Sequence, residues 1–240
     1  MSLYETILKV MDEEIRKCGD GTSLNKALRQ SLDKFAEKYR DKNKENLAMF
    51  KYNGEYAITE IIEGTWNHVK VPIFKLASLN LKNIHITHNH PVPLTDGLHT
   101  MLSKNDCKLL LQTNFRGELM IRSISAETPT GGGGRITLIR NNNFSEADKH
   151  KFYKATSKMR KSYDAYRDKF YSTINKEEIR LFQEHMGRNP THDDVEWNEG
   201  KFHEEAVKEG IKKMGTLEEH LRKDGVYDAL ENCNCKLKLE

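Results

Sequence analysis

Two histidines separated by one residue, His88-Asn89-His90-Pro91, are followed by Ser103-Lys104-Asn105-Asp106. The histidines close an apolar run, Asn83-Ile84-His85-Ile86-Thr87, that reads as a strand. On a strand, residues i and i+2 point to one face, so both imidazoles can converge on one metal ion. Asp106 can add an oxygen ligand. Two histidines and one carboxylate leave the fourth tetrahedral position open, the arrangement of a catalytic rather than a structural zinc. A water held there becomes a nucleophile near neutral pH. The expected cofactor is Zn2+, held by His88, His90 and Asp106. A plainer reading also covers Ser103 and Asp106, because a Ser N-cap with Asp at the third helical position starts a helix. The two roles are compatible: the cap fixes the helix start beside the site.

The elements that must position these groups are legible as periodicities. Ala48-Met49-Phe50-Lys51-Tyr52 and Glu55-Tyr56-Ala57-Ile58-Thr59-Glu60-Ile61-Ile62 read as strands around an Asn53-Gly54 turn. An extended piece over Asn67 to Pro72 and a short helix or connection over Ile73 to Leu79 follow. Glu118 to Ile124 and Arg135 to Ile139 read as a hairpin with Gly131 to Gly134 at its tip. No Gly-x-x-x-x-Gly-Lys-Ser/Thr pattern accompanies those glycines, so they are a hairpin tip and not a phosphate cradle. His85 alternates with the ligand pair and should face the other side of the strand with Thr87. Asn89, between the ligands, takes a structural role.

His-x-His-Pro, then Ser-x-x-Asp at the head of an apolar helix (Cys107 to Leu111), resembles the JAMM (MPN-type) zinc metalloproteases. The match is nearest to their HNHP prokaryotic branch, which includes phage-encoded and RadC-type members, and it covers residues 50 to 140. The resemblance implies an α/β fold, a JAMM-like mixed sheet with flanking helices. It implies His88, His90 and Asp106 as zinc ligands and Ser103 as the hydroxyl that assists the tetrahedral intermediate. It also implies a Glu from an earlier strand that holds the attacking water. Glu55, in Gly54-Glu55-Tyr56-Ala57-Ile58, is the choice, with Glu60 and Glu63 as alternatives. The implied activity is hydrolysis of peptide or isopeptide bonds, including ubiquitin-like conjugates, in a phage or mobile-element setting. The implied partners are a polypeptide substrate or protein conjugate and viral assembly proteins. Two rival readings stand beside it: a non-catalytic JAMM-like interaction or assembly protein, and a nucleic-acid-associated protein of RadC type. The link from Pro91 to Leu102 is about five residues longer than the family pattern, an insertion of small thermodynamic cost. It reads as a specificity loop, with Leu94, Leu98, Met101 and Leu102 available to a polypeptide substrate or to seal the cleft.

Around this domain the chain reads as helical. Leu3, Ile7, Leu8, Met11 and Ile15 share one helical face; Leu24, Leu28, Leu32 and Phe35 share another, ending in the charged stretch Lys38 to Glu45. Beyond Asn141 a long helix starts after a Ser145 cap, and Lys176 to Met186 reads as another. The expected organisation is an N-terminal helical segment (1–45), a JAMM-like zinc hydrolase domain (46–141) and a C-terminal helical region (142–240). His203-Glu204-Glu205 lacks the second His of a His-Glu-x-x-His zinc motif.

Bulk properties narrow the partners. Of 240 residues, 37% are hydrophobic and 31% charged, and the net charge of +3 comes from interspersed signs. Interspersed charges make solvated helix faces, not a nucleic-acid stripe. Lys149 to Arg167 is locally basic with Phe152, Tyr153, Tyr163 and Tyr166, and reads as an amphipathic packing helix. No apolar stretch is long enough to span a membrane, and Met1 to Glu5 lacks the basic start and apolar core of a signal peptide. A cytoplasmic location is expected. The cysteines at 18, 107, 233 and 235 form no disulfide framework, and Cys233-Asn234-Cys235 reads as reduced thiols in a tail.

Overall fold

Leu47-Ala48-Met49-Phe50 is apolar at every position, and the strand it forms, β1 (Asn46–Lys51), is buried on both faces. It belongs to a six-stranded sheet with β2 (Ile62–Glu63), β3 (Ile84–Asn89), β4 (Ile121–Glu127), β5 (Arg135–Arg140) and β6 (Cys235–Leu239), in the order β2-β1-β3-β4-β5-β6. The computed structural model describes residues 26–51, 61–79, 81–91, 101–128, 134–191, 194 and 202–240. The expected helix over Leu3 to Ile15, the Asn53-Gly54 turn, Glu55, Glu60, Gly131 to Gly133 and link residues 92–100 lie outside them.

β3 and β4 are parallel; every other neighbouring pair is antiparallel. A parallel pair needs a crossover, and this one carries a helix between β3 and β4. The helices are α1 (Lys26–Tyr39), α2 (Ile73–Ser78), α3 (Lys104–Leu109), α4 (Asp148–Met186), α5 (His203–Met214), α6 (Leu217–Lys223) and α7 (Val226–Glu231). α3 is the crossover helix. The architecture is mixed α/β, a mixed sheet with flanking helices.

The register sorts side chains into rows across the sheet. Met49, Ile86, Ile124, Leu138 and Leu237 form one apolar row on one face, and all five are buried. The next row on that face runs Leu47, His88, Ala126, Ile136. The other face carries Phe50, His85, Ser123 and Ile139, then Ala48, Thr87, Ser125 and Thr137. α1 covers this second face: Leu28, Leu32 and Phe35, at helical spacing, pack with Ala48, Phe50 and Ile139.

The described residues divide into two compact units. One runs up to Ser157 and includes Tyr227–Glu240; the other is Lys158–Val226. β6 therefore belongs to the sheet, although its cysteine pair reads as a tail from sequence. Its alternation of Cys235 and Leu237 inward with Lys236 and Lys238 between them is an edge-strand pattern. The second unit is helical. Phe170, Ile174 and Phe182 of α4 are buried in it with Phe202, Ala206 and Leu221. Tyr166 donates to Gly215 O at 3.0 Å and Ser162 to Asp224 Oδ2 at 2.6 Å. α4 is one helix of 39 residues and not two, because no Gly or Pro interrupts Asp148–Met186. Phe152, Tyr163 and Tyr166 are buried, as expected of a packing helix. Among the described residues no helix is long and apolar enough to cross a membrane.

Candidate metal centre

β3 ends at Asn89, and its last turns of alternation put His88 and then His90 on the face opposite α1. The two Nε2 atoms lie 3.0 Å apart, with ring centroids at 4.9 Å and planes inclined by 37°. Asp106 reaches the same point from α3: its Oδ2 lies 3.6 Å from His88 Nε2. One ligand atom from each of the three lies within 4.8 Å of the others. Bonds of about 2.05 Å at a tetrahedral angle place neighbouring ligand atoms about 3.3 Å apart. The 3.0 and 3.6 Å separations are close to that spacing, so these two histidine nitrogens and one carboxylate oxygen could hold a single metal ion. Ala126, beside His88 in the sheet, offers no bulk that would compete for the space.

The orientation of Asp106 comes from local sequence. Ser103 is the N-cap of α3: its Oγ accepts from Asp106 N at 3.1 Å, and Ser103 N donates to Asp106 Oδ2 at 2.7 Å. This capping box fixes the carboxylate beside the histidine pair. Burial opposes the Asp106 charge, but His88, the Ser103 hydrogen bonds and His90 outweigh it, and the carboxyl is held below its ordinary range. Asp106 is thus an anion where a ligand must be one.

The structure adds a carboxylate that the sequence reading passed over. Leu47 pairs with His88 across β1 and β3, so the preceding alternate residue, Glu45, comes opposite His90 on the same face. Glu45 is 8% exposed and lines the same cavity as His88, His90, Ser103 and Asp106. Its backbone is tied to the next segment, with Glu45 N donating to Thr65 O and Gly64 N to Glu45 O, both at 2.8 Å. Burial pushes its carboxyl above the usual value, and the Asp106 charge adds to this; His88, His68 and a hydrogen bond from the Val69 backbone N–H pull the other way. Gly64 is required by this packing, because a Cβ there would sit 2.2 Å from His68 O.

Asn89 explains how Glu45 is held. Its Oδ1 accepts from Asn46 N at 2.7 Å and its Nδ2 donates to Lys44 O at 3.1 Å. The residue between the two histidines therefore clamps the backbone on both sides of Glu45. This is the structural role expected of Asn89, with a specific target.

Other expected residues sort as follows. Glu55 and Glu60 are outside the described residues. Glu63 pairs with Asn46 in the sheet, on the face away from the ligands, and makes an exposed ion pair with Lys44 at 2.6 Å. His85 faces α1, as alternation requires, with Nδ1 2.6 Å from Ser123 Oγ and Nε2 3.2 Å from Ser125 Oγ. Of the link residues expected to contact a substrate or seal the cleft, Met101 and Leu102 are buried just before α3, which speaks against substrate contact by these two.

The cavity has a volume of about 400 Å³. Its polar groups are those of the histidine pair, Glu45, Asn67, His68 and the start of α3. Val69, Val71, Ile73 and Leu109 supply apolar wall. No family model, no curated protein and no solved structure matches the chain, so what this centre does is read from its own geometry.

Proposed function

We propose that the chain is a zinc-dependent hydrolase of peptide or isopeptide bonds, in line with the JAMM-like order of its motifs. The observation that carries the proposal is the convergence of His88, His90 and Asp106 in a cavity that also holds Glu45 and Ser103. Bound zinc would supply Lewis-acid polarisation and a water acidic enough to attack near neutral pH. Glu45 takes the water proton and returns it to the leaving nitrogen, the general-base and then general-acid role. Burial holds its carboxyl above the usual value, the direction that makes it a stronger base. Ser103 donates its hydroxyl proton to the oxygen that gains charge on the substrate carbonyl. Asp106 stays ionised and oriented by its capping box, and Asn89 keeps Glu45 in line. Glu45 is proposed as the base from its place in the cavity; Glu55 lies outside the described residues.

Glu45→Gln tests the assignment. The amide keeps the size and hydrogen bonding of the side chain but cannot accept the proton. Zinc content should stay at the wild-type level while cleavage of a denatured-casein peptide mixture, followed by mass spectrometry, falls by about a hundredfold or more. Full cleavage by this variant returns the role to another carboxylate. A chain that binds no zinc and cleaves nothing is the non-catalytic interaction protein.

A further inference from the structure

The ligand face of the sheet changes character within one step of alternation. On β3 the residues of this face run Ile86, His88, His90; on β1 they run Met49, Leu47, Glu45. Both strands pass from apolar to polar in the same direction. Ile124 lies beside Ile86, extending the apolar half onto β4. α3 repeats the gradient: Asp106 and Leu109 are three residues apart, which puts them on one helical face about 4.5 Å apart along the axis. Asp106 meets His88, and Leu109 lines the cavity one turn further on. The opposite wall is Val71 and Ile73, supplied by the segment that is tied to Glu45 through Thr65 and Val69.

We infer that this half of the cavity is an aliphatic subsite, which takes an uncharged aliphatic group attached directly beside the scissile bond. The inference rests on the hydrolase reading for the word scissile, and on the cavity alone for the preference. The step from His88 to Ile86 is about 6.7 Å along the strand, and adjacent Cα atoms of a substrate are 3.8 Å apart. A side chain on a residue flanking the reacting carbonyl therefore spans from the ligand end to the apolar floor. Val71, Ile73 and Leu109 are half-buried, so they form a surface that a ligand can cover and not a closed core. A charged group entering there would lose its water and find no partner on these three residues. Two substrates share the required chemistry. A peptide would present a branched side chain such as leucine, and an isopeptide would present the methylene stem of the modified lysine.

Methyl-detected NMR on the full chain separates these outcomes from the metal question. The probes are acetyl-leucine amide, Nε-acetyl-lysine amide, acetyl-serine amide and acetyl-aspartate amide, each titrated into protein with and without added zinc. The expected result is saturable shifts of the Val71, Ile73 and Leu109 methyls, with an aliphatic probe bound about tenfold or more tighter than the serine or aspartate probe. Tighter leucine amide points to peptides; tighter Nε-acetyl-lysine amide points to isopeptides. Leu109→Asn should remove the preference, and Val71→Phe should block the aliphatic probe by filling the space while keeping the wall apolar. Equal response to all four probes, or no response of these methyls, overturns the subsite. Aliphatic preference in a chain that takes no zinc keeps the subsite and removes the hydrolase reading.

Discussion

The two faces of the sheet treat their buried polar groups in opposite ways. Towards α1, complementary groups are matched. His85 meets Ser123 and Ser125, Ser125 meets Thr137 at 2.7 Å, and Asn89 meets one backbone donor and one acceptor. Glu127, with no exposed side-chain surface, is held by Arg135 and by Arg40 at 3.1 Å; Arg135 also reaches Asp33 at 3.0 Å. Thr87 Oγ1 and Arg40 Nε are exceptions, buried with no hydrogen-bond partner among the described residues. On the other face, two imidazole nitrogens and a carboxylate oxygen converge on one point, with the carboxylate held by the Ser103 cap. Matched polar groups fix a structure. Convergent donors of electron pairs can hold an electrophile, and that difference sets the candidate site apart from the scaffold.

Breaking the matched face should cost stability and leave the metal in place. Arg135→Ala leaves the buried Glu127 with Arg40 as its remaining guanidinium partner, and removing one partner of a buried ion pair costs about 3–5 kcal/mol when nothing replaces it, which sets the upper end here. Urea unfolding should show this loss, while zinc content of the folded variant stays unchanged. If zinc is lost in step with stability, the two faces are not independent.

Asn89→Ala sharpens the comparison, because Asn89 is matched on one face but serves the other. Losing its two buried hydrogen bonds should cost about 1–3 kcal/mol. Zinc should remain, and hydrolysis should fall by about a hundredfold if Glu45 shifts by an ångström. Unchanged turnover at wild-type zinc content would show that the clamp has no part in catalysis.

His85 gives the smallest effect, and a pH-dependent one. Burial, aided by the Arg135 charge, drives its pKa down to about 3. The folded state keeps this ring neutral, whereas the unfolded chain protonates it near pH 6.5. The unfolded state therefore binds more protons between these values. Stability is fully present above about pH 6.5 and falls by about 1.4 kcal/mol per pH unit as pH drops towards 3. His85→Gln should lose that slope between pH 6 and pH 5 when compared with wild type in urea titrations. Parallel slopes in the two proteins would mean that His85 is not the titrating group.

The three candidate ligands were legible because each obeys a local rule. His88 and His90 share a face by strand alternation, and Asp106 follows Ser103 at capping-box spacing. The rows that face α1, and α1 itself, follow from periodicity in the same way. Glu45 was not legible because its role depends on register. It ends a charged run that reads as a solvated helix end, and only the pairing of Leu47 with His88 brings it opposite His90. β6 carried its signal in the alternation of Cys235, Leu237 and two lysines, but five residues at the end of a helical region read as a tail. The apolar half of the cavity joins residues from β3, β4, α3 and the Val69–Ile73 segment, a combination that no single stretch of sequence contains.

The most direct measurement is elemental analysis of the purified chain and of His88→Ala after dialysis against buffer with trace zinc, with circular dichroism confirming that both are folded. The account predicts one zinc per wild-type chain and none in the variant. A folded wild-type chain without zinc, or a variant that keeps it, would contradict a metal centre at His88, His90 and Asp106.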